Sequence, residues 1–147
     1  TNLQASIGLA QIENINKIIS ERNKIKKNYN IFLSKRDYYI LPLENHKDIT
    51  TVCWQYHIIL KRKSKKIRDI IINELRNHKI EAREGFISAT LQTQLNKNNF
   101  LKKNKCIKAE RNSYSSFYLP TYLGLKLSDQ KYISKILIKI CDNYLIE

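Results

Sequence analysis

The sequence predicts an α+β domain: a small, mostly antiparallel sheet packed by helices in an α/β-like layer, with a long N-terminal helix in front. Three observations carry this. Three glycines and two prolines are too few for an all-β chain full of tight turns, and they favour long helices. Residues 50–60, "TTVCWQYHIIL", are β-branched and aromatic and alternate in the manner of a strand. Apolar residues near both chain ends recur at spacings of three and four, the period of a helix with one apolar stripe. At 147 residues the chain fits one domain able to bury a core, and its 42% hydrophobic content argues against wholesale disorder.

The elements follow in order. Residues 2–34 form the long helix, capped by Thr1 or Asn2, with Leu3, Ile7, Ala10, Ile15, Ile18, Ile25, Tyr29 and Phe32 on its stripe. Its first turns hold the small residues Ala5, Ser6, Gly8 and Ala10, which allow close approach to another element. "ILPLE" at 40–44 is a short extended piece fixed by Pro42. In the strand over 50–60, Val52, Trp54, Tyr56 and Ile58 share one face and His57 lies on the other. Ser64 caps a helix running to about residue 78, with Ile67, Ile70, Ile71 and Leu75 inward. "KIEAREGF" at 79–86 is a second strand, with Ile80 and Ala82 alternating and a break at Gly85. Residues 93–105 are the most loop-like stretch, followed by a short helix at 105–113 and a strand "FYLP" at 117–120. The last helix spans 128–145, with Ile133, Ile136, Leu137, Ile140 and Tyr144 inward. The order α-β-α-β-(α)-β-α gives a small sheet covered by helices.

The formal charge of +14 has two readings, an acidic partner such as nucleic acid or compositional drift in a chain rich in Ile, Lys, Asn and Tyr. The lysine clusters at 24–27, 61–66 and 102–105 are separate and do not line one helix face, the pattern of a solvated surface. Cys53, Cys106 and Cys141 are odd in number and far apart, which points to a reducing, cytoplasmic compartment rather than to disulfides, zinc or a redox pair. No apolar run approaches the roughly 20 residues of a membrane span, and no signal peptide is visible. His46, His57 and His78 are not spaced as metal ligands, and no phosphate loop or nucleophile elbow is present. Arg83 is the most unusual charge. Inside a strand-like segment it is either a fork for a carboxylate or phosphate, or a strand-edge arginine in water.

"TNLQASIGLAQIEN" and the helix after it resemble the segment following the active-site lysine region in the DegT family of sugar aminotransferases. Asn2, Ala5, Gly8, Gln11, Ile12 and Glu13 fill the family pattern N-x-x-A-A-x-G-x-x-Q-L-E, Ser6 replaces its second alanine, and Arg22 and Tyr29 match the Arg and Tyr of the long helix. "TVCWQYHIIL" sits where the family has its aromatic-rich strand. "LRNHKIEARE" resembles L-x-x-x-G-I-x-T-R with Lys79 in place of the glycine, and "SFYLPTYLGLKLSDQKYI" resembles the closing L-P-x-Y segment.

The resemblance implies a type I pyridoxal-phosphate fold, of which residues 1–147 are expected to be one domain, the C-terminal small domain of a longer enzyme. The large domain, with the cofactor and the Schiff-base lysine, is then expected outside this chain. No catalytic residue falls within 1–147, and the fragment alone is expected to be inactive. The implied reaction moves an amino group, with glutamate the usual donor, to a nucleotide-linked keto-sugar, as in polysaccharide biosynthesis. The lysine is nucleophile and proton shuttle, and the cofactor is the electron sink. A homodimer is implied, with neither membrane nor nucleic acid as partner. Arg83 and the 86–93 loop are expected to wall the substrate cleft. Thr90 stands where the family has a histidine and Thr93 where it has a proline, while Gln92 remains; Arg83, Thr90 and Gln92 are therefore the candidate substrate contacts. The alternative function is a basic nucleic-acid-binding or non-catalytic interaction module.

Overall fold

The computed structural model describes residues 1–44, 47–97 and 106–145. The predicted first helix is two helices: α1 (Asn2–Glu13) and α2 (Ile15–Leu33). The break falls at Asn14, whose backbone leaves the helical region (φ −100°, ψ 3°). Its side-chain amide donates to the Ala10 carbonyl and its backbone N–H to Gln11, so α1 ends on local hydrogen bonds that asparagine is well suited to make. Thr1 and Gln4 close a reciprocal capping box at the start of α1. No residue of α1 is buried, and Leu3, Ile7, Leu9 and Ile12 all stand exposed. In α2, by contrast, Ile25, Tyr29 and Leu33 enter the core.

A four-stranded antiparallel sheet follows, in the order β1 (Tyr39–Ile40), β2 (Tyr56–Leu60), β4 (Ser116–Leu119), β3 (Arg83–Glu84). The α+β class and the small antiparallel sheet are as predicted. The strands are shorter than the pattern suggested. Val52 and Trp54 are exposed, because residues 51–55 bend away before β2 begins. The Arg22 guanidinium draws the Trp54 carbonyl to itself at 2.9 Å, and that carbonyl is lost to the strand ladder. Of the expected 79–86 strand, Arg83 and Glu84 form the ladder with β4 and the Gly85 N–H adds a bond to the Ser116 carbonyl at 2.8 Å, while Ile80 and Ala82 are buried as their alternation predicts.

Three helices cover one face of the sheet: α2, α3 (Lys65–Asn77) and α6 (Leu127–Leu145). Ser64 caps α3 as expected, its hydroxyl accepting the Ile67 N–H at 3.3 Å. The inward side of α3 is Ile71, Ile72 and Leu75, whereas Ile67 and Ile70 are only half-buried. Arg68 is buried beside them, its guanidinium reaching Glu84 of β3, Asp69 and the Ser113 carbonyl. In α6, Ile133, Leu137, Ile140 and Cys141 are buried, while Tyr144 at the last turn is exposed, contrary to its place in the predicted stripe. The loop expected over 93–105 starts instead as a short helix, α4 (Thr93–Lys97), after a 3₁₀ turn at Ala89–Leu91. The rest of that segment, with the 102–105 lysine cluster and the first residue of the predicted 105–113 helix, lies outside the described residues, as does His46. Helix α5 (Ile107–Ser115) leads directly into β4.

Candidate functional site

Register puts His57, Tyr118 and Arg83 in one row across β2, β4 and β3, on the face opposite Ile58, Phe117 and Glu84. Ile58 and Phe117 are fully buried under the helices. The row of His57, Tyr118 and Arg83 therefore faces away from the helical layer. Where these strands begin and end, a cavity of about 590 Å³ opens. Its apolar floor comes from Ile80, Leu119, Leu125 and Ile133. Tyr118, Tyr122 and Tyr132 bring three phenols to its lining, and Lys79, Glu81, Arg83 and Asp129 bring charge.

Arg83 is thus at a cavity, but not free in it. Its guanidinium Nε donates to Glu81 Oε1 at 2.8 Å and Nη2 makes a shorter bond to the same oxygen. The Glu81 hydrogen bond and charge, and then Tyr118, hold the guanidinium above its usual pKa. Both Arg83 and Glu81 are exposed, which places this pair in water.

The other two predicted contacts lie elsewhere. Thr90 sits in the 3₁₀ turn, its hydroxyl 2.9 Å from that of Ser88, and the turn is tied to α5 by the Ser88 N–H donating to Ser113 Oγ at 2.7 Å. Gln92 is exposed just after the turn. Neither belongs to the lining of the cavity that holds Arg83.

The rim of the cavity is fastened from beneath by the two residues singled out on the long helix. Arg22 donates to the carbonyls of Trp54 at 2.9 Å and Thr121 at 3.2 Å, and Tyr29 donates its hydroxyl to the Pro120 carbonyl at 3.1 Å. Burial drives the Tyr29 phenol far above its ordinary pKa, so it stays a neutral donor. Thr121 Oγ1 adds a bond to Trp54 at 3.1 Å. These bonds tie the segments before β2 and after β4 together, and the second segment carries Pro120, Thr121 and Tyr122 of the lining.

On the same open face, Gly85 has no room for a side chain. A Cβ there would meet Ser116 Oγ at 2.1 Å and His57 Nε2 at 2.5 Å. His57 Nε2 is buried without a hydrogen-bond partner, and burial lowers the pKa of the imidazole. Beyond this knot, Trp54 and Phe86 stack on one another with ring centroids 6.2 Å apart, both exposed.

Sequence reasoning missed Tyr118, Tyr122, Tyr132 and Asp129. One signal was available: Tyr118 is the polar-tipped residue of the apolar run Phe117–Leu119.

Among the described residues no group of three His, Cys, Asp or Glu could hold a metal ion, and no helix is long and apolar enough to cross a membrane. Lys26, the one buried lysine among them, spends its ammonium on Thr51 Oγ1 at 2.5 Å and the Leu43 carbonyl at 3.4 Å, while Lys79 stands exposed.

Comparison with known proteins gives this arrangement a context. Residues 1–138 match the model of the DegT/DnrJ/EryC1/StrS aminotransferase family. GDP-perosamine synthase of Vibrio cholerae is 35% identical over 92 residues, which are 60% of this chain and 24% of that protein. The fold matches that of Spr1654 from Streptococcus pneumoniae, described as a putative sugar aminotransferase and solved in a PMP-form, with a TM-score of 0.83 at 19% identity over 99% of this chain and 36% of the other. Helicobacter pylori PseC, an aminotransferase involved in the biosynthesis of pseudoaminic acid, matches with a TM-score of 0.79 at 19% identity over 96% of this chain and 37% of its own. The chain thus spans about a quarter of the first relative and just over a third of these structures. The match runs through nearly the whole sequence, from the first helix into the last: the chain belongs to the DegT/DnrJ/EryC1/StrS aminotransferase family.

Proposed function

We propose that these residues are the C-terminal small domain of a pyridoxal-phosphate-dependent sugar aminotransferase that moves an amino group from glutamate to a nucleotide-linked keto-sugar. The observation that carries this reading is the family match over residues 1–138. The sugar aminotransferases among the relatives and the occupied state of Lys26 agree with it. When bound, the cofactor supplies the electron sink for the exchange. Its lysine is proposed to lie in a part of the enzyme outside this chain, and no step of that chemistry falls to the residues described here. Their share is to close one wall of the substrate cleft, with Arg83 on the open face of the sheet and Thr90 and Gln92 at the 3₁₀ turn tied to α5. The apolar residues of α1 are then covered by the remainder of the enzyme or by the second subunit of a homodimer.

Incubation of the 147-residue chain with pyridoxal phosphate, borohydride reduction and peptide mass spectrometry tests the division of labour. The expected result is no stoichiometric adduct at any single lysine. One lysine labelled to completion at equimolar cofactor would overturn it. The activity is tested on the longer gene product, with glutamate and nucleotide-linked keto-sugars offered together and formation of the amino sugar followed.

A further inference from the structure

The end of α3 is built on a conformation that its residue does not favour. The Ile80 N–H donates to the Leu75 carbonyl at 3.0 Å and the Lys79 N–H to the Arg76 carbonyl at 2.9 Å, the paired bonds of a Schellman cap, and Ile80 and Leu75 meet in the core as such caps require. The residue between His78 and Ile80 must then be left-handed. It is Lys79, with φ of 61°, the one non-glycine residue among those described to have positive φ. Glycine is the usual occupant because a Cβ is strained there. A lysine is neither asparagine nor aspartate, whose short side chains tolerate this region.

Lys79 also lines the cavity. The only other cation there, Arg83, is engaged by Glu81. Asp129 lies in the first turn of α6, where the helix dipole favours a carboxylate, and it takes the Ser128 hydroxyl at 3.3 Å. The Lys79 ammonium has no hydrogen-bond or ion-pair partner among the described residues. The cavity therefore combines one uncommitted cation, the Asp129 carboxylate at the α6 N-terminus, three phenols and an apolar floor.

We infer that Lys79 is a ligand-binding residue of this cavity, its ammonium contacting a phosphate group of a ligand whose ring rests against the tyrosines and the apolar floor. Backbone strain is retained at a position where glycine would fold more easily, and what the strain secures is a charged side chain at the mouth of a cavity. This inference rests on the function proposed above, under which the phosphate is that of the nucleotide-linked sugar. Lysine suits the task as a compact point charge on a flexible stem.

The test uses three forms of the 147-residue chain, which contains every lining residue: wild type, Lys79→Gly and Lys79→Gln. GDP, UDP and inorganic pyrophosphate are titrated by calorimetry, and melting is followed without ligand. Lys79→Gly is expected to raise Tm by about 3 °C through release of strain. Both variants are expected to weaken nucleoside diphosphate binding about tenfold, as for loss of a hydrogen bond to a charged group. Lys79→Gln retains the strain, so binding is separated from stability. Wild-type affinity in either variant overturns the role of Lys79, as does a wild-type chain that binds none of the three probes. Binding of pyrophosphate as tight as that of GDP and UDP removes the ring from the inference and overturns it in that form. The aminotransferase reading fails separately, through absence of amino-sugar formation by the longer gene product, whatever these titrations give.

Discussion

Helices α1 and α2 are consecutive, yet they end in opposite surroundings: α2 carries one apolar stripe, whereas the apolar residues of α1 are spread round it. In α2 the periodic residues Ile25, Tyr29 and Leu33 are buried against the sheet and α6. In α1, Leu3 is 71% and Ile12 68% exposed, and Glu13 is its only charged residue. A helix so poor in charge is ordinarily enclosed. The difference teaches that hydrophobicity along a sequence specifies that a surface will be covered, not by what. The cover for α2 is encoded in these 147 residues. For α1 it is proposed to come from the rest of the enzyme.

The contrast can be broken first with truncations. Leu137 is fully buried, and Leu137→Ala should cost about 3 kcal/mol in urea unfolding. Leu3→Ala and Ile12→Ala should each change the stability of the same chain by under about 0.5 kcal/mol. An equal cost at both ends would erase the distinction. Gly85→Ala probes the open face of the sheet, since the new methyl group would collide with Ser116 and His57; a loss of about 2 kcal/mol is expected by the same measurement. Tyr29→Phe removes the hydroxyl that anchors Pro120, and should cost about 1 kcal/mol while loosening the rim of the cavity. Amide exchange at Thr121 and Tyr122 would report that loosening.

The smallest effect is one of pH. Burial depresses the folded pKa of His57 below its ordinary value near 6.5. The unfolded chain then takes up the proton first, so the contribution of neutral His57 is fully present above about pH 6.5 and is lost as pH falls toward the depressed value. Stability measured at pH 7.5 and pH 5 should differ less in His57→Gln than in the wild type.

Much of the scaffold was readable from residues that act locally. Ser64 caps α3 through its own hydroxyl, and the aromatic and β-branched residues of 56–60 mark β2 by their composition alone. The misreadings came where a distant group decided. Val52 and Trp54 keep a strand-like alternation, but Arg22, 32 residues from Trp54, holds the Trp54 carbonyl away from the ladder. The Asn14 break was hidden because the apolar residues of α1 lie all round the helix, so no shift of a stripe marks the boundary with α2. Arg83 stood out because a charge interrupts an alternating strand. The rest of the cavity was hidden because Lys79, Tyr118, Tyr122 and Asp129 meet only through the sheet and α6. Lys79 was visible as a departure from a glycine pattern, but only its left-handed backbone shows why glycine belongs there.

The central claim is that α2 to α6 and the sheet make a finished core, while α1 awaits cover from outside the chain. Hydrogen exchange on the monomeric 147-residue chain, read by mass spectrometry, tests it most directly. Amides of Asn2–Glu13 should exchange within seconds to minutes, and those of Tyr56–Leu60 and the middle of α6 should be protected by orders of magnitude more. Protection of α1 equal to that of β2 in a demonstrated monomer would contradict the claim.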